Sequence, residues 1–118
     1  MNGLDLLAEH VARFNEAVRS GDFGPMLELF TDDAELAFEG VPVGPFHGLD
    51  AIREAYRVNP PDDEIDVLDS RETEDTVVTA YSWRRDGGRR SGEMRLTVRE
   101  GRIARLLVSF ASASDRKV

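Results

Sequence analysis

From residue 65 onward the chain is a succession of short segments in which apolar and polar residues alternate, and this run restricts the fold more than any other feature. Residues 65–71, 76–84, 90–99 and 102–112 each read as a strand. They are separated by an acidic link at 72–75, by Asp86-Gly87-Gly88 and by the tight Glu100-Gly101 pair. Strands joined by turns this short pair antiparallel with their neighbours. Val77, Thr79, Tyr81 and Trp83 share one face of the second strand, and Met94, Leu96 and Val98 share one face of the third.

Ahead of the strands the period is helical. Leu4, Leu7, Val11, Phe14 and Val18 recur every three or four residues, which predicts one face of a helix that Gly21 can end. His10 falls on the polar side of that helix and receives no role. Asp22 is placed to cap a second, shorter helix with Phe23, Leu27 and Phe30 on one side and Pro25 in its first turn. Thr31-Asp32-Asp33 ends it, and residues 34–39 alternate as a strand with Leu36 and Phe38 on one face and Glu35, Ala37 and Glu39 on the other. Residues 40–48 hold three glycines and two prolines and read as a loop. Leu49, Ile52 and Tyr56 then share one side of a third helix, which must stop before Pro60. Helices followed by hairpins predict an α+β fold, a cone-shaped, strongly curved antiparallel sheet packed against three N-terminal helices. Residues 1–112 are expected to form this single domain, and 113–118 a fraying tail.

Charge and composition narrow the function classes. The net charge is -8, but it is unevenly spread: residues 32–75 carry fourteen acids against three bases, and residues 76–118 carry ten bases against four acids. An acidic chain makes a poor general partner for nucleic acid. Arg84, Arg85, Arg89 and Arg90 are either a local anion site or a solvated hairpin tip that pairs with the acidic middle segment. There are no cysteines, so disulfide and thiolate chemistry are excluded, and the cytoplasm is the natural compartment. No apolar run is long enough to span a bilayer, no secretory signal is indicated, and no membrane partner is expected. The two histidines are far apart and the acids lack ligand spacing, so neither a metal nor any other cofactor is expected.

Several motifs in order carry a resemblance. Ser20 to Phe23 reads S-G-D-F, Leu29 to Ala34 reads L-F-T-D-D-A, Gly48 to Tyr56 reads G-L-D-A-I-R-E-A-Y, and Gly101 to Phe110 reads G-R-I-A-R-L-L-V-S-F. With the strands between them they resemble the nuclear transport factor 2-like superfamily, and within it the SnoaL-like and ketosteroid isomerase-like proteins. The resemblance covers nearly the whole chain. It implies a pocket for a small apolar or aromatic molecule, a homodimer through the sheet, and either cofactor-free acid–base chemistry of the isomerase, cyclase or dehydratase type or binding without chemistry. It also implies a carboxylate general base at the end of the first strand, which falls on Glu39 or, counted from the other landmark, on Phe38. A bulge decides which of the two faces in.

The position of the family's first-helix oxyanion tyrosine is Phe14, and the position of its later-strand acid falls on the segment around Met94, so neither supplies a donor. The final strand also lacks the acid that epoxide hydrolases of this fold place there. Glu39 is thus the candidate catalytic residue, and Phe14, Phe38, His47, Tyr56, Tyr81 and Met94 are the candidate ligand contacts. His47 is considered as a proton shuttle. Trp83 could line the pocket, but reads rather as core packing or as a dimer contact on the outer face of the sheet. Arg95 is expected to face water, because an unpaired charge inside the cone is costly.

Overall fold

In the computed structural model, which describes residues 2–110, helix α1 runs from Gly3 to Ser20. The Asn2 side chain accepts from the Asp5 amide at 2.8 Å, and Gly21, at φ 85°, closes the other end by donating to the Ala17 carbonyl at 2.7 Å. The buried stripe of α1 is Gly3, Leu6, Leu7, His10, Phe14 and Ala17. This is the expected helix turned on its axis, for Leu4 is 42% exposed and Val11 and Val18 are only half-buried. Tertiary docking makes the choice. The Gly3 amide donates to the Glu72 carboxylate at 3.0 Å, and a side chain on Gly3 would collide with Glu72 and Val77, so the helix start lies flat on the sheet. An acid at a helix N-terminus is also favoured by the helix dipole.

The second helix is a single turn, α2 (Gly24–Leu27), rather than the longer element expected. Asp22 accepts from the Gly24 amide at 3.0 Å, but Phe30 already belongs to a strand. That strand is β1 (Phe30–Glu39). It is followed by the two-residue β2 (Phe46–His47), helix α3 (Leu49–Val58), β3 (Ile65–Thr73), β4 (Thr76–Trp83), a one-turn 3-10 helix (Arg84–Asp86), β5 (Gly92–Arg99) and β6 (Arg102–Phe110). Residues 111 and 112 of the expected last strand and the expected tail 113–118 lie outside the described residues.

The six strands form one sheet in the order β2-β1-β6-β5-β4-β3. All neighbours are antiparallel except β1 and β6, which run parallel, so the sheet is mixed where the sequence predicts an antiparallel one. Register shifts lie in the β1–β6, β3–β4 and β5–β6 pairings, and bulges of this kind bend strands. The bent, unclosed sheet wraps around the helices as an α+β cone. Asn15 fastens α1 to its far edge: Nδ2 donates to the Ile65 carbonyl at 3.0 Å while the Ile65 amide donates to Oδ1 at 2.9 Å. Among the described residues no helix is long and apolar enough to cross a membrane.

Candidate functional site

The concave face of the sheet, α1 and α3 enclose a cavity of about 540 Å3. Its size falls within the range of small-molecule pockets. Alternation along each strand decides what lines it. On β1, Leu36 and Phe38 point in; on β6, Leu106 and Val108 do so opposite Met94 of β5 and Tyr81 of β4. Helix α1 contributes His10 and Phe14, and α3 presents the small Ala51 and Ala55 beside Tyr56. Val43, Val58 and Phe110 also line it and remain exposed at 47%, 56% and 37%, which marks the mouth.

The walls are strongly aromatic. Phe38 stacks on Phe110 with ring centroids 6.2 Å apart and meets Phe46 edge-on at 6.5 Å. Trp83 lies 5.7 Å from Tyr81 in an edge arrangement and 6.5 Å from Phe14. Tyr56 stacks on Phe23 at 4.9 Å. Such pairs contribute on the order of 1 kcal/mol each beyond the area they bury, so the aromatic wall is held in shape without a ligand.

Few polar groups face this interior, and burial holds the imidazole and the two phenols among them neutral. Desolvation lowers the His10 pKa from 6.5 to about 4. It pushes the Tyr81 phenol up to about 12, with the Asp86 charge adding to the effect, and raises the Tyr56 phenol as well. The Tyr81 hydroxyl donates to the Ser109 carbonyl at 3.3 Å, whereas the buried His10 Nδ1 has no hydrogen-bond partner. Glu54 is the acid that lines the cavity. It is exposed and accepts from Arg57 at 2.9 Å, a bond that holds its carboxyl below the usual range.

Phe14, Phe38, Tyr56, Tyr81 and Met94 therefore line one cavity, and two of the candidate residues named from the sequence do not join them. Glu39 is exposed and outside the cavity. The irregularity in the β1–β6 register lies between Phe30 and Glu35, so the alternation beyond it is unbroken and turns Phe38 inward and Glu39 outward. His47 is exposed on β2, opposite Glu35, while its neighbour Phe46 takes the inward position. Trp83 belongs to the cavity rather than to the outer face. Arg95 is exposed, as expected.

His10 is the residue that sequence reasoning missed. It stands four residues from both Leu6 and Phe14, a spacing that puts all three on one face, but its polar character suggested the opposite side. The arginine cluster resolves in part as hairpin ion pairing: Arg84 reaches Glu64 at 2.8 Å and Asp66 at 2.9 Å, and Arg85 reaches Asp62 at 3.1 Å. Among the described residues no three histidines or acids cluster as metal ligands would.

A cone with this inward face can be compared with known proteins. The SnoaL-like domain family matches residues 11–106, which is most of the chain. The chain belongs to the SnoaL-like family. No curated protein sequence matches it. Among solved structures, this SnoaL-like chain is similar to a candidate polyketide cyclase from Sinorhizobium meliloti, at 24% identity and TM-score 0.62 over 84% of this chain and 92% of that one. A candidate isomerase from Bacillus subtilis matches at 18% identity and TM-score 0.70, over 93% and 90% of the two chains. An NTF2-like protein of unknown function from Burkholderia xenovorans matches at 17% and 0.66, over 90% and 83%. At these identities the likeness establishes the nuclear transport factor 2-like fold.

Proposed function

We propose that this SnoaL-like chain binds a small, largely apolar, oxygen-bearing molecule inside the cone. The observation that carries the reading is the cavity of about 540 Å3, walled by aromatic and aliphatic side chains with only a few polar groups among them. That composition suits a ligand that is mostly hydrocarbon and oriented by one or two polar contacts. A thermal-stabilisation screen of steroid-like and polyketide-like compounds tests it. Hits should be uncharged and apolar, and a screen that returned only charged or highly polar hits would overturn the reading.

A second reading, cofactor-free acid–base chemistry, is favoured by the presence of His10 at the cavity wall and by the candidate cyclase and isomerase among the structural neighbours. Glu39 is a weak base candidate, because it lies outside the cavity. Turnover of any hit by wild type, Glu39→Gln and His10→Phe separates the two residues. Equal turnover by Glu39→Gln removes Glu39 from the mechanism.

The helices pack on one side of the sheet, and the opposite side carries the row Ala37, Leu107, Arg95 and Val78 across four strands. This half-apolar face is the proposed homodimer contact, and sedimentation velocity at micromolar concentration tests it. A monomer would overturn it. The cytoplasm, with its reducing conditions, suits a chain without cysteine.

A further inference from the structure

The binding reading above leaves open which polar group the ligand carries, and one unsatisfied residue bears on that question. His10 is 1% exposed, lines the cavity, and has ring neighbours Phe14 and Phe30 at centroid distances of 6.5 and 5.8 Å. Its buried Nδ1 makes no hydrogen bond within the described residues. A buried polar atom without a partner is costly, and leucine or phenylalanine would continue the stripe of α1 without that cost. Two other polar groups around the cavity are less demanding. The Tyr81 hydroxyl already has the Ser109 carbonyl, and Glu54 is exposed and paired with Arg57.

Two properties of the surroundings limit the partner. No lysine or arginine among the described residues lines the cavity, so an anion entering it would lose water without gaining a counter-charge. A neutral imidazole has one donor and one acceptor nitrogen, and a hydroxyl group can pair with either, whereas a carbonyl or ether oxygen can only accept. We propose that His10 is the recognition residue of the cavity, and that the ligand is an uncharged, largely apolar alcohol or phenol whose hydroxyl group hydrogen-bonds the imidazole. This hydrogen bond requires a ring nitrogen to turn toward the ligand, and χ2 of an imidazole side chain is a broad torsion. The lowered pKa of His10 keeps the ring neutral near pH 7.

The test uses naphthalene, 2-naphthol and 2-naphthoate with the full chain, measured by calorimetry while the imidazole nitrogen chemical shifts are followed by NMR. In wild type, 2-naphthol should bind roughly three- to tenfold more tightly than naphthalene, the value of one net hydrogen bond. The anionic 2-naphthoate should bind more weakly than either. The His10 signals should move with 2-naphthol, and those of the exposed His47 should not. In His10→Phe the preference for 2-naphthol should vanish while naphthalene still binds. Equal affinities of wild type for the first two compounds, or an undiminished preference in His10→Phe, would overturn the assignment and leave the cavity reading standing. If His10→Phe does not fold, the wild-type spectrum decides, because unmoved His10 signals at saturation with 2-naphthol also overturn it. If none of the three compounds binds, the cavity reading fails and this assignment fails with it.

Discussion

Acidification should destabilise this protein through one buried imidazole. His10 is buried, and desolvation lowers its pKa from 6.5 to about 4. Unfolding exposes the ring to water, so below about pH 6.5 the unfolded chain takes up a proton that the native state resists. The native state is therefore undisturbed above about pH 6.5 and loses ground as the pH falls toward about 4, at up to about 1.4 kcal/mol per pH unit. Integration from about pH 7.5 to about pH 5.5 gives a loss of about 1.3 kcal/mol, roughly tenfold in the unfolding constant. Urea unfolding at the two pH values, in wild type and in His10→Phe, measures it. His47 and every carboxylate are common to both proteins and cancel in the comparison, so wild type should lose an additional amount of about 1.3 kcal/mol and the variant should not. Equal losses in the two proteins would refute a buried, neutral His10.

Two further substitutions probe how the cone is held together. Asn15→Ala removes both bonds to the Ile65 backbone and leaves a partly buried amide and carbonyl unpaired, so it should cost about 1–3 kcal/mol in urea unfolding, and an unchanged midpoint would contradict the clamp. Gly92→Ala should destabilise by about 1–3 kcal/mol, because the added carbon meets the Ser109 carbonyl and the Tyr81 ring; unchanged thermal unfolding would contradict this.

How much of this was legible in the sequence depended on the range of the interactions involved. The β3 to β6 run was legible because each hairpin joins neighbours in sequence and each strand keeps an apolar face, as with Val77, Tyr81, Met94 and Leu96. The parallel pairing of β1 with β6 was not, since it joins segments about 70 residues apart and leaves no local signature. Phe30 satisfied a helical spacing with Phe23 and Leu27, but its place opposite Ile103 drew it into the sheet. Leu4, Leu6 and Leu7 allowed more than one facing of α1, and the docking of Gly3 against Glu72 and Val77 selected the one that buries His10. That Phe14, Phe38, Tyr56, Tyr81 and Met94 line one cavity was legible from alternation and from the family pattern. The facing of His47 and Glu39 was not legible, because Phe46 holds the inward position on β2 and the register irregularity precedes Glu35 rather than following it.

The central claim is that the cone takes up a small apolar molecule, and Trp83, the one tryptophan of the chain, reports on it from the cavity wall. The most direct measurement is the fluorescence of Trp83 during titration with 4-tert-butylcyclohexanol, an uncharged alcohol transparent at the excitation wavelength, in wild type and in Ala55→Phe, which narrows the cavity from α3. The account predicts a saturable change in emission for wild type and a weakened response, by about tenfold or more, when the ring occupies part of the space. An emission that does not change, or one that changes equally in both proteins, would contradict it.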